Sequence, residues 1–288
     1  MLLTRKPIYW LLLLSTFVLR GQGQIIEIGN DSIALYVEDT GRGKPIIFIP
    51  GWTMTTEFFS KQRDYFGSKF RYISYDPRSH GKSSKTAVGH TYKNHAEDLH
   101  AIVELLDLQD ITLVGWSSGC ATIYEYVQLY GTDDLNYVVF IDEPPKWIGN
   151  TSDEWVYGTF DDYRESLKDL INDRKAYASG TAQWMTQQKL DTVQKNWIVD
   201  QMLMTANDAA LSLYIDGMAS DYTEVLIGLN QKVPMLFMLR ESWYGRASEW
   251  LTSHVPKAKV VSISSHATFW EKPGDFNKTV LAFITNEP

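Results

Sequence analysis

The five residues Gly115-Trp116-Ser117-Ser118-Gly119 constrain this chain more than any other segment. An apolar run, Ile111-Thr112-Leu113-Val114, precedes them, and a helix-compatible stretch from Ala121 to Tyr130 follows. A strand that ends in a sharp turn and re-enters a helix leaves Ser117 at the tip of the turn with its hydroxyl exposed. Glycine at both ends of the motif allows backbone to pack against backbone in so tight a turn. A plain Gly/Ser loop would satisfy the five letters but would not require the strand and helix on either side.

The surrounding pattern agrees with a buried sheet. Ile25–Ile28 and Ile33–Val37 alternate as a hairpin of two edge strands, and Pro45 to Ile49 is continuously apolar, as in a strand covered on both faces. Thr55 to Phe70 reads as a helix, Tyr72 to Tyr75 as a strand, and Tyr92 to Leu108 as a helix with Ala96, Leu99, Ile102, Val103 and Leu106 on one face. Tyr137 to Ile141, Val233 to Leu239 and Val260 to Ile263 supply further strands, and Asp275 to Ile284 a last helix. Strands alternating with helices predict a mostly parallel eight-stranded sheet with helices on both faces. The alternation stops between residues 143 and 232. That stretch is rich in Trp, Tyr and Met and predicts helices at Asp161–Ala176, Asp191–Thr205 and Asn207–Ala219. An insertion at the carboxyl end of a strand lies over the sheet edge where ligands bind, so residues 143–232 are expected to form a helical lid after the sixth strand. The core is then residues 24–142 and 233–288.

The N-terminus follows a different logic. Arg5 and Lys6 precede an apolar run from Ile8 to Leu19, and Gly21-Gln22-Gly23 supplies small residues at a cleavage position. This is a signal-peptide layout over residues 1–23, which predicts a secreted or periplasmic protein with no stable membrane span after cleavage. Removing residues 1–23 takes away Arg5, Lys6 and Arg20 and no acid, so the net charge of −8 becomes −11. An acidic chain without a basic run argues against nucleic acid as a partner. The single cysteine, Cys120, has no intramolecular disulfide partner and reads as a small buried helix residue. Asn30, Asn150 and Asn277 begin N-x-S/T sequons, which matter only where exported chains are glycosylated. No H-E-x-x-H, paired cysteines or G-x-G-x-x-G after a strand is present, so neither a metal nor an organic cofactor is implied.

With these elements in place, nearly all of residues 24–288 resembles the α/β-hydrolase superfamily. Phe48-Ile49-Pro50-Gly51-Trp52 stands where the family has its oxyanion loop, with proline in place of the usual histidine. Asp76-Pro77-Arg78-Ser79-His80-Gly81-Lys82-Ser83 is similar to its D-x-R-G-x-G-x-S turn, with Ser79 in place of glycine. Ser264-Ser265-His266 followed by Glu271-Lys272-Pro273 is similar to its G-H-x-x-x-x-E-x-P segment, again with serine for glycine.

The resemblance implies nucleophilic catalysis at Ser117, because a serine hydroxyl is a weak nucleophile until a base takes its proton. His266 is the base it implies. His95 and His100 read as helix-face residues and His80 as part of the turn. The base also needs a carboxylate to orient it. At the family's usual acid position, after the strand that follows the lid, this chain carries Trp243. A minority of members place the acid one strand earlier, where Asp142 ends a strand ahead of Glu143-Pro144-Pro145. Asp142 is the first candidate, with Glu143 and Glu241 as alternatives. The resemblance also implies an oxyanion hole from the Trp52 and Ser118 N–H groups. Trp52 and Trp116 either wall the pocket or pack the core. The expected activity is hydrolysis of a small, largely apolar carboxylic ester. Lactone hydrolysis, carbon–carbon bond hydrolysis and cofactor-free haloperoxidase chemistry are alternatives at the same site, and a small-ligand receptor on the same fold is an alternative of another class.

Overall fold

The computed structural model describes residues 23–29, 33–151 and 154–286. The expected signal peptide lies outside the described residues except for Gly23, and so does Asn30.

The chain begins with β1 (Gln24–Ile28) and β2 (Ile33–Gly41), and β3 (Pro45–Ile49) follows. A 3₁₀ turn, Thr56–Phe59, leads into α1 (Ser60–Phe66), then β4 (Arg71–Tyr75), α2 (Tyr92–Leu105), β5 (Ile111–Trp116), α3 (Gly119–Tyr130) and β6 (Leu135–Ile141). Two short strands, β7 (Ile148–Gly149) and β8 (Gly158–Thr159), come next, followed by five helices: α4 (Phe160–Asn172), α5 (Arg174–Trp184), α6 (Thr192–Leu203), α7 (Asn207–Ala219) and α8 (Thr223–Leu229). The chain closes with β9 (Met235–Arg240), α9 (Glu241–His254), β10 (Lys259–Ile263), the short α10 (Thr268–Glu271) and α11 (Pro273–Thr285).

Eight strands form one sheet in the order β1-β2-β4-β3-β5-β6-β9-β10. The β1–β2 and β2–β4 pairs are antiparallel and all others are parallel. All five residues of β3 and all six of β5 are buried, which is why their sequences are continuous apolar runs rather than alternating ones. The period of two assigns their side chains to opposite layers. Ile47, Ile49 and Leu113 pack with Leu99, Ile102 and Ile123 of α2 and α3. Ile46, Phe48 and Val114 pack with Phe66 of α1 and Phe276 and Val280 of α11. Each fully buried Phe or Leu here contributes about 1.5–3 kcal/mol relative to exposure.

Two expectations need correction. The helix expected over Thr55–Phe70 is a 3₁₀ turn plus a shorter α1. The helix expected over Asp161–Ala176 is two helices, because Asp173 leaves helical geometry and its side chain accepts from the Ala176 N–H at 2.9 Å, capping α5. The sequon at Asn277 is closed to glycosylation in the folded chain: the side chain is buried on α11 and accepts from Gln62 Nε2 at 3.1 Å. Among the described residues no helix is long and apolar enough to cross a membrane.

Candidate active site

Ser117 sits between β5 and α3 with φ of 54°, a left-handed conformation that only a tight turn imposes on a serine. The motif's glycines are required by contact. A Cβ on Gly119 would stand 2.4 Å from the Ile49 carbonyl oxygen, and one on Gly115 would stand 2.9 Å from the Cys120 nitrogen. Gly51 also comes close on the other side, where an added Cβ would lie 3.0 Å from the Ser117 Cβ. The loop after β3 is therefore pressed against the serine. Neither the Trp52 N–H nor the Ser118 N–H donates to any group among the described residues, so both amides beside the serine are available.

His266 follows β10 and is buried. Its Nδ1 lies 2.8 Å from Asp142 Oδ2, which places a hydrogen on that nitrogen, donated to the carboxylate. The Trp116 indole N–H donates to the His266 carbonyl at 2.9 Å and pins the loop to the elbow strand. Ser117 and His266 line one cavity of about 630 Å³. They share no hydrogen bond among the described residues. The Ser117 hydroxyl instead makes a long contact, 3.5 Å, with the Tyr157 hydroxyl. Nucleophile–base bonds of unliganded sites are commonly loose and tighten when substrate binds.

Asp142 ends β6 with φ of 54° and is fully buried. Its Oδ1 accepts from the Arg240 backbone N–H at 2.8 Å, and its Oδ2 forms an ion pair with Arg240 Nε at 2.7 Å. Burial opposes ionisation of this carboxyl, but the His266 hydrogen bond and the Arg240 charge outweigh it and hold its pKa below the ordinary value. The other two carboxylates are placed elsewhere. Glu241 is exposed in the first turn of α9. Glu143 is buried, accepts from the Trp147 indole at 2.5 Å and from the Tyr157 hydroxyl, and is pushed up to about 8, burial being the chief cause. Trp243 packs under the Arg240 guanidinium, 3.9 Å from it to the ring centre, and Trp184 flanks that guanidinium at 4.3 Å.

For His266, burial lowers the pKa most, Asp142 raises it and Arg240 lowers it further, so the imidazole rests neutral and able to accept a proton. Both tryptophans left open by the sequence line the cavity, and Trp116 is also part of the core. Much of the remaining wall is aromatic, from Trp147, Tyr163, Tyr177 and Tyr214. A ring of hydroxyls interrupts it: Ser166 with Tyr177 at 3.0 Å, Tyr177 with Tyr214 at 3.4 Å, and Tyr214 with Ser166 at 2.8 Å. Among the described residues no group of three His, Cys, Asp or Glu side chains is arranged to hold a metal ion.

The segment between β6 and β9 is fastened to the histidine loop. Ala267 N–H donates to the Met185 carbonyl at 2.9 Å. The Glu271 carboxylate accepts from the backbone N–H groups of Gln187 and Gln188 at about 3 Å. Arg240 and Tyr157 were missed as site residues from sequence. Tyr157 lies in an irregular stretch 40 positions from Ser117, and only its aromatic character gave any signal.

The fold and site together define a protein with a strained serine at a strand–helix elbow and a histidine–aspartate pair beside it. Residues 44–221 match the alpha/beta hydrolase fold family, and the chain belongs to that family. A putative non-heme chloroperoxidase of Synechocystis is 32% identical over 158 residues, 54% of this chain and 57% of that protein. The chain thus spans little more than half the length of that relative. Bromoperoxidase from Bacillus anthracis superposes with a TM-score of 0.84 at 24% identity, covering 92% of this chain and 100% of the other. An esterase from Exiguobacterium antarcticum gives 0.83 at 21% identity with the same coverage.

Proposed function

We propose that the protein is a serine hydrolase that cleaves a small, largely apolar carboxylic ester through an acyl-enzyme. The observation that carries this reading is the Asp142–His266 bond of 2.8 Å beside a strained Ser117 on one aromatic-walled cavity. Ser117 attacks the carbonyl carbon while His266 takes its proton. The negative oxygen of the tetrahedral intermediate is received by the Trp52 and Ser118 N–H groups, each such donor contributing about 2.7–4 kcal/mol. His266 then gives the proton to the departing alcohol and afterwards activates water to release the acid. Asp142 keeps the imidazole in the tautomer this requires. Residues 143–232 act as the lid over the site, and the N-terminal pattern of residues 1–23 directs export.

The test is a fluorophosphonate probe together with p-nitrophenyl esters of graded chain length. Wild type is labelled and turns over short-chain esters, whereas Ser117→Ala is unlabelled and loses kcat by about 10⁶. Labelling that survives Ser117→Ala, or no ester turnover by wild type, overturns the reading. The names of the haloperoxidase relatives favour a second reading at the same site, in which hydrogen peroxide replaces water at the acyl-enzyme and the resulting peracid oxidises halide. Peroxide- and bromide-dependent bromination of a dye, absent in Ser117→Ala, would select it.

A further inference from the structure

We infer that the substrate of this site carries a protonated amine remote from its ester bond, and that the amine docks against Tyr163 and the acidic rim of α4. The inference rests on the ester-hydrolase reading above and narrows its substrate class: the body of the ester is apolar and one end is cationic. The cavity wall includes three carboxylates, Asp162, Asp169 and Asp173, and among the described residues no lysine or arginine. Asp162, Ser166, Asp169 and Asp173 recur every three or four positions, so they share one face of α4 and its C-terminal cap. The cations of α4 do not line the cavity and are already paired, Arg164 with Asp161 at 3.3 Å and Lys168 with Glu165 at 2.8 Å. Arg174 stands next to the wall rather than in it, its guanidinium 4.7 Å from the centre of the Trp52 ring.

A row of acids would by itself be a solvated helix face. Asp162 closes the capping box with Thr159, and Asp173 caps α5. Asp169 has no such task, since its side chain has no partner among the described residues.

Tyr163 turns the rim into a binding wall. It is only 7% exposed and lines the cavity, yet its hydroxyl has no hydrogen-bond partner among the described residues. The Tyr92 and Tyr124 hydroxyls are unpartnered too, but they are sealed in the core, whereas that of Tyr163 opens onto the chamber. A few polar groups in a largely apolar wall are what orient a ligand. Beside Tyr163, the closed ring of Ser166, Tyr177 and Tyr214 consumes its own three hydrogens. Each of those oxygens keeps a lone pair but no hydrogen for a ligand. This end of the chamber therefore calls for a donor. The Trp147, Tyr163 and Tyr214 rings gather there, with centres 6.3, 6.4 and 5.4 Å apart, and such rings attract a cation within about 6 Å. An alkylammonium donates N–H bonds, carries positive charge and favours aromatic faces. A neutral alcohol meets only the first of these conditions.

The experiment uses pairs of esters alike in shape and different in charge. 2-(Dimethylamino)ethyl acetate, protonated at pH 7, is compared with 3-methylbutyl acetate, which puts the charge in the alcohol half. Ethyl 6-aminohexanoate is compared with ethyl heptanoate, which puts it in the acyl half. In one pair or the other the cationic ester has the higher kcat/KM by about 10-fold, the worth of one hydrogen bond to a charged group. The pair that responds tells which half of the substrate reaches α4. Tyr163→Phe removes most of that preference. Asp169→Asn, at an exposed position where folding is not at risk, lowers it by about two- to fivefold. No preference for the cation in either pair overturns the inference, and so does a preference that stays unchanged in both variants. Wild type that turns over none of the four esters would instead defeat the ester-hydrolase reading.

Discussion

His80 offers a quantitative test of how the loop after β3 is held. Its ring is buried, its Nδ1 donates to the Arg78 carbonyl at 3.0 Å, and its Nε2 accepts from the Thr53 N–H at 3.1 Å. Thr53 has φ of 60° and follows Gly51-Trp52 directly, so this imidazole supports the loop that presses against the serine. Burial lowers the His80 pKa to about 4, and the nearby Lys85, His90 and Arg174 charges act in the same direction. An unfolded imidazole titrates near 6.5. The folded value is the lower one, so on acidification the unfolded chain takes up the proton first. The stabilisation is complete above about pH 6.5, falls as pH drops toward 4, and is constant below that. With these two values the folded state loses about 2 kcal/mol through His80 alone between pH 7 and pH 5. Urea unfolding at the two pH values measures it. Wild type loses more stability on acidification than His80→Gln, by about 2 kcal/mol, even though the variant starts less stable at pH 7. Equal losses in both proteins would refute the assignment of His80 as a buried neutral acceptor.

Two further expectations concern the carboxylate and its cation. Asp142→Asn lowers kcat by about 10⁴ through loss of the tautomer that accepts the Ser117 proton, whereas Glu241→Gln, at an exposed position, leaves ester turnover near wild type; steady-state kinetics with one p-nitrophenyl ester compares them. Arg240→Met removes a positive charge that lowers the His266 pKa, so the acid limb of kcat/KM moves to higher pH, while Arg240→Lys holds it near its original position; a pH–rate profile that does not move in the methionine variant would exclude the effect.

The parts of the site that were legible in sequence were those written in consecutive residues. The elbow needs a strand, two glycines and a helix within about twenty positions, and each leaves its own pattern. Asp142 could be placed because it directly ends an apolar strand. Ser79 stands where the family pattern has glycine, and its φ of 64° explains that preference. What could not be read depended on contacts between distant segments. Arg240 looks like any strand-end cation until β9 is paired beside β6 and brings it to Asp142. The break at Asp173 was hidden because a helix interrupted by one capping aspartate keeps its hydrophobic spacing almost unchanged. Position at the strand end ranks Asp142 ahead of Glu143, but what Glu143 touches is not local: its Trp147 and Tyr157 partners both lie beyond the strand.

The bonds from Met185, Gln187 and Gln188 to Ala267 and Glu271 carry a consequence for engineering. The segment after α5 and the loop that carries His266 share one anchorage, so a graft that replaces α5 to reshape the chamber would also disturb the moorings of the imidazole. A transplanted segment must therefore bring its own clasp for residues 267 and 271. Reshaping the chamber from α4 or α7 leaves that seam untouched and is the safer route to altered selectivity.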